Sequence, residues 1–311
     1  MARFSKLFLV VMFSLSTCSY YKSTNTTFTS LGYSDADIAY LRSIYQNDLN
    51  LIIEHQINRN DLFTYLKIDK LTIEEIIKSE EIRKKENISH LAALNLLHHP
   101  YIMKEFYKYP QPALNKDSYL ILVNKNYYLD ENYIPSDLVF AEGAYQLIDD
   151  ESRYYLRKAA YEAYLELQQD ARKQGLYLYL SNGYRSYQKQ TKLYNDYLLN
   201  GNEPDHYSAR PGFSEHQTGL ALDITCAANN FLLTEDFANT LEGKFVHENA
   251  HKYGFIIRYP KDKEHLTGYM YEPWHLRYVG IEHAKIIYEQ NITLEEYLIN
   301  YTYIKNNNKI N

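Results

Sequence analysis

Cysteine is nearly missing from this chain: of 311 residues, only Cys18 and Cys226 carry a thiol. If Cys18 is cleaved away or modified, Cys226 stands alone and no intramolecular disulfide can form. The fold must then rest on its core, which a chain of this length can bury. Blocks of Lys and Arg are missing too. The 33 basic and 39 acidic residues are interspersed, with a net charge of -6, which argues against a nucleic-acid or polyanion partner. No apolar run reaches the ~20 residues needed to span a bilayer. The run from Leu7 to Leu15, LFLVVMFSL, falls well short.

That run has a different reading. Arg3 and Lys6 precede it and small residues follow, so residues 1–18 form an expected export signal. Leu15-Ser16-Thr17-Cys18 resembles a bacterial lipobox, in which the cysteine becomes the lipidated new N-terminus. Thr17 stands where Gly, Ala or Ser is usual, so a lipid-anchored and a simply secreted form both stay open. The polar stretch that follows makes residues 19–30 an expected tether. Tyrosine is abundant instead, at 34 residues. Its scatter suits amphipathic packing, with a carbohydrate-binding surface as the sharper alternative.

Residues 31–112 read as a small helical module. Ser34-x-x-Asp37 and Thr72-x-x-Glu75 precede apolar positions and mark helix starts, the second as a capping box. LGYSDADIAYL and DKLTIEEIIKS, 38 residues apart, are loosely alike, as two copies of a degenerate repeat would be. A spacer or cover is the plain role for this module, and binding of a wall or partner the sharper one. Tyr109-Pro110-Gln111-Pro112 marks a linker into a domain spanning 113–305. There the pattern predicts a strand at Tyr119–Val123, a turn at Asn124–Asn126 and a helix over Glu151–Gln174 stopped by Gly175. A strand at Leu176–Leu180, a helix after Ser186 and a strand at Gly219–Thr225 follow. A helix over Glu242–Tyr253 ends at Gly254, Phe255–Tyr259 is a strand, and helices close the chain, one with the capping box Thr293-x-x-Glu296. Without a regular βαβ rhythm, the mixture predicts an α+β fold.

Two short stretches carry the chemistry. SEHQTGLALD offers His216 and Asp223, and EPWH offers Glu272 and His275. Two imidazoles and a carboxylate are a donor set zinc accepts, with a fourth position left open. A spare carboxylate beside it suits proton transfer in metal-assisted hydrolysis. On a continuous helix His216 and Asp223 would lie ~10 Å apart, so Gly219 between them predicts a turn into a strand. Asp223 in the apolar stretch Leu220–Ile224 is costly unless a partner offsets its burial, and a metal is the most economical one. Pro273 rules out a helix interior around Glu272 and His275. Cys226, three residues after Asp223, reads as a small buried apolar residue rather than a ligand or nucleophile.

Four blocks, GYRSYQKQ (183–190), ARPGFSEHQTGLALD (209–223), YGFIIRYP (253–260) and TGYMYEPWHLRYVG (267–280), closely resemble the bacterial D-alanyl-D-alanine carboxypeptidases of the vancomycin-resistance type. These belong to the LAS zinc peptidases, named for lysostaphin, D-Ala-D-Ala peptidases and the sonic hedgehog domain. The resemblance covers roughly residues 115–290 and leaves the helical module outside. It implies a small, mainly antiparallel sheet flanked by helices, and zinc held by His216, Asp223 and His275. It further implies Glu272 as the base that takes a proton from the attacking water and hands it to the leaving amine. Arg185 would stabilise the developing oxyanion, and Ser214, Gln190 and Trp274 would contact substrate or shape the site. The implied partner is the peptidoglycan stem peptide, outside the cytoplasmic membrane or in the wall. D,D-carboxypeptidase, L,D-carboxypeptidase and endopeptidase share this apparatus, and a non-catalytic zinc-containing binding domain is the alternative of another class. His206, His247, His251 and His265 match no such spacing.

Overall fold

The computed structural model describes residues 27–303 apart from 47, 103, 143, 147–152 and 202. The expected export signal, Cys18 included, and residues 19–26 of the expected tether lie outside the described residues. Residues 27–30 are not tether. They form a helical turn, because Phe28 is buried and its ring meets Tyr33 edge-on at 5.5 Å.

The chain divides into two compact units between His98 and His99. In the first unit, helices α1 (Asp35–Tyr45), α2 (Leu49–Glu54), α3 (Arg59–Ile68), α4 (Ile73–Glu86) and α5 (His90–His98) bury Ile38, Leu41, Ile52, Leu62, Tyr65 and Ile76. Both anticipated starts are full capping boxes, at Ser34/Asp37 and Thr72/Glu75, each satisfying two backbone N–H groups that the first turn leaves free. Asp61, Glu80 and His90 come together here. Arg83 bonds Glu80 at 2.6 Å and meets Asp61 at 3.4 Å, so the group is an ion-pair network with its own cation.

The division falls ahead of the expected linker. Residues 99–112 belong to the second unit, where Gln111 N–H bonds Asn126 O and the Asn126 amide bonds Tyr101 O and Lys104 O. This unit opens with two strand pairs. The strands β1 (Gln111–Pro112) and β2 (Tyr127–Tyr128) are parallel; β3 (Leu138–Phe140) and β4 (Tyr155–Arg157) are antiparallel. Tyr119–Val123 is not the expected strand. Its apolar side chains from Ile121 to Val123 are buried, but the carbonyls of Tyr119 and Ile121 accept the Arg277 guanidinium rather than a neighbouring strand. The helix expected from Glu151 starts only at Lys158, as α6 (Lys158–Lys173), because Tyr155–Arg157 pair with β3.

The main sheet is antiparallel throughout, in the order β5 (Tyr179–Asn182), β6 (Ala221–Thr225), β8 (His275–Tyr278), β7 (Phe255–Ile257). Helix α7 (Tyr187–Leu199) follows β5 and is capped by Ser186, as its sequence predicts. Helices α8 (Leu241–Asn249), α9 (Glu264–Thr267), α10 (Ile281–Gln290) and α11 (Leu294–Tyr301) complete the unit, with α6 packed on β3 and β4 and α10 on β7. The fold is α+β, a small antiparallel sheet flanked by helices. Among the described residues no helix is long and apolar enough to cross a membrane.

Candidate metal centre

Sheet register builds the site. Asn182 on β5 pairs with Asp223 on β6, and Asp223 pairs with His275 on β8. Residues directly opposite on antiparallel neighbours have Cβ atoms only ~5 Å apart and share a face. The Asp223 carboxylate therefore sits between the other two. Asn182 Nδ2 donates to Asp223 Oδ2 at 3.1 Å, and His275 Nδ1 lies 2.9 Å from Oδ1. His216 arrives from outside the sheet, on a short 3₁₀ turn, Glu215–Thr218. Gly219 ends that turn at φ +67°, where glycine is the undemanding residue, and sends the chain into β6. The turn brings His216 Nε2 to 3.3 Å from Asp223 Oδ2.

All three side chains are buried, and one donor atom from each lies within 4.8 Å of the others. The two imidazole planes stand nearly perpendicular at 5.0 Å. His216 Nδ1 donates to Gly183 O at 2.7 Å, which leaves Nε2 facing the cluster, the tautomer a metal requires. Burial would raise Asp223, but His216 and His275 hold it well below the usual carboxylate range. Burial and the nearby Arg185 keep His216 below the ordinary histidine value. Two imidazole nitrogens turned toward one buried carboxylate fit a divalent cation, and for nitrogen and oxygen donors in this number the fit is to zinc.

Glu272 stands beside this group, with Oε2 at 4.0 Å from His275 Nδ1. Burial, helped by Asp223, pushes its carboxyl up to about 8 against the pull of His275 and Arg185. Arg185 is placed by its backbone N–H on His216 O and by Nε on Gln190 Oε1, at 2.7 Å. A cleft of about 910 Å³ opens over these groups and is lined by Arg185, Ser214, His216, Asp223, Glu272, Trp274 and His275 among others. Ser214 and Trp274 lie on the wall of this cleft. Gln190 does not line it: its side chain is buried and its amide is consumed by Arg185, Ala209 O and Ser208 Oγ. What it holds is Arg185, a site-shaping contact.

The other histidines stay away from the centre. His206 is exposed beside Glu264, His251 stacks on Tyr288, and His247 and His265 are exposed. Cys226 is fully buried and its thiol is raised by burial, as a packing residue would be. Sequence reading missed Glu215, Arg258 and Arg277, all fully or almost fully buried. The available signal was an arginine inside each of two apolar strand segments, FIIRY and HLRY, which demands a buried carboxylate.

Gly183 carries a prediction. A Cβ there would lie 2.5 Å from the Tyr155 carbonyl, and the segment cannot withdraw without moving the oxygen that orients His216. Gly183→Ala is expected to cost about 1–3 kcal/mol as overpacking and to weaken zinc binding. An unchanged melting temperature would refute the clash.

Comparison with known proteins places these residues in context. Residues 153–281 match the family described as VanY, D-alanyl-D-alanine carboxypeptidase. The chain is 48% identical over 185 residues to YodJ of Bacillus subtilis (strain 168), which spans 59% of this chain and 68% of that protein. It is 38% identical over 184 residues to a D-alanyl-D-alanine carboxypeptidase of Enterococcus faecium, spanning 58% of this chain and 57% of the relative. Among solved structures, the LdcB LD-carboxypeptidase is similar at 47% identity and a TM-score of 0.58, covering 60% of this chain and 89% of that one.

Proposed function

Because the chain belongs to the VanY family of D-alanyl-D-alanine carboxypeptidases, we propose that it is a zinc-dependent exopeptidase that removes the terminal D-alanine from peptidoglycan stem peptides. The observation that carries this reading is one buried constellation: His216, Asp223 and His275 converge within 4.8 Å, with Glu272 and Arg185 on the same cleft. A non-catalytic binding domain would need the three donors but neither of the other two.

The cofactor is zinc, and His216, Asp223 and His275 are the residues that would hold it. When bound, it supplies a Lewis acid for the scissile carbonyl and brings the pKa of a coordinated water to about 7. The protein's own groups do the rest. Glu272 takes the proton from the attacking water and returns it to the leaving amine. Arg185, clamped by Gln190, presents a fixed positive charge where the carbonyl oxygen turns negative, so no reorganisation is required at that moment. Asn182 fixes the Asp223 carboxylate. Export, read from residues 1–18, would place these groups on the outer side of the membrane with their substrate.

A second reading concerns which bond is cut. Similarity to the LdcB LD-carboxypeptidase supports release of D-alanine from a tetrapeptide stem, after an L-configured centre. Purified protein should be given synthetic penta- and tetrapeptide stems and free D-alanine measured. Release from the pentapeptide, lost on chelation and recovered with zinc, is the expected result. Release from the tetrapeptide alone moves the assignment to the L,D class, and no release from either removes the exopeptidase reading.

A further inference from the structure

We infer that Glu215 is the positioning residue for His275: its carboxylate, locked by Arg258 and Arg277, accepts the His275 Nε2 proton and so turns Nδ1 toward the metal. The inference rests on the zinc-site reading above and deepens it. Glu215 precedes His216 on the same 3₁₀ turn, and its buried carboxylate meets Arg258, just after β7, and Arg277 on β8. Its Oε1 accepts from Arg258 Nε at 2.8 Å and from Arg277 at 2.5 Å. Its Oε2 is buried without a hydrogen-bond partner, and so is Nε2 of His275. These two orphaned atoms face one another at 3.8 Å.

Buried polar atoms left unpaired are costly, and here the two complement each other as donor and acceptor. About 1 Å of approach brings them within hydrogen-bond range. The ring is already confined, because Tyr259 stacks on it at 4.9 Å with planes 24° apart.

The acceptor cannot drift. Arg258 continues to both Glu295 oxygens, at 2.7 and 3.0 Å, and Arg277 donates to the carbonyls of Tyr119 and Ile121. Two guanidinium groups and two carboxylates balance in charge, and Glu215 Oε2 is the oxygen left over. The histidines are thus oriented by different means: His216 by the backbone carbonyl of Gly183, His275 by an anchored carboxylate. A carboxylate behind a ligating imidazole fixes its tautomer and raises its basicity, and losing such a partner weakens metal affinity about 10–100-fold.

The test compares zinc affinity of the full chain, by competition with a chromophoric chelator, in wild type, Glu215→Gln and Glu295→Gln. Glu295→Gln takes a carboxylate from the same Arg258 without facing His275, so it reports damage to the network alone. The expected result is a 10–100-fold rise in zinc Kd for Glu215→Gln and the wild-type value for Glu295→Gln. An unchanged Kd in Glu215→Gln, or an equal rise in both, overturns the inference. Long-range nitrogen–proton NMR of zinc-loaded wild type gives an answer that no folding defect can blur. A proton on His275 Nε2, shifted downfield by a carboxylate partner, supports it. A metal on Nε2 with the proton on Nδ1 overturns it and leaves the zinc reading standing, whereas wild type that takes up no zinc overturns both.

Discussion

Glu272→Gln is expected to fold, to load zinc as the wild type does, and to lose turnover by about 10²–10⁴-fold, the usual worth of a positioned proton-transfer group. The substitution keeps the size of the side chain and its capacity to hydrogen bond, but an amide cannot take up a proton at neutral pH. Glu272 lies at the edge of the donor group rather than within it. The three convergent donors come from His216, Asp223 and His275, while the Glu272 carboxylate is 4.0 Å from the His275 ring. Its backbone N–H bonds Tyr259 O, so the main chain that presents it does not depend on the carboxylate. Zinc content by elemental analysis, circular dichroism and D-alanine release should be read on one preparation. Loss of zinc would make Glu272 a ligand and displace another donor. Near-normal release on every stem peptide would end the proposal that it is the base.

What the sequence made legible follows from how locally each feature is determined. Helix starts were readable at Ser34, Thr72, Ser186 and Thr293, because a cap is settled within four residues, and all four cap their helices. The turn between His216 and Asp223 was readable from Gly219, since seven residues must double back for both to reach one ion. Tyr119–Val123 misled because an apolar run signals burial without naming its hydrogen-bond partner. Those carbonyls accept from Arg277, more than 150 residues away. The start of α6 failed for a similar reason. Leu156 fits the helical spacing and is buried, but its backbone pairs with Val139. Glu215 was hidden by its neighbour: in SEH the histidine draws attention, and the purpose of the glutamate appears only when FIIRY and HLRY are side by side.

Asp223→Ala is expected to abolish zinc binding and, with it, all D-alanine release. The side chain is buried in the central pair of strands and faces both imidazoles, with Asn182 fixing one of its oxygens. It is also the only anion among the three donors, so its removal leaves two neutral nitrogens to hold a dication. Asn182 and Glu272 cannot replace it without moving, because β-sheet register holds Asn182 opposite Asp223 and the Tyr259 carbonyl tethers the Glu272 backbone. The readout is the stabilisation that zinc confers. A ligand at 100 times its Kd stabilises the folded state by about 2.7 kcal/mol, so wild type should melt at a clearly higher temperature with zinc than after chelation. Asp223→Ala should melt at the same temperature in both, and Asp223→Asn, which keeps the volume and loses the charge, should behave like it. A full zinc-dependent shift in either variant would show that the charge of Asp223 is not what holds the metal.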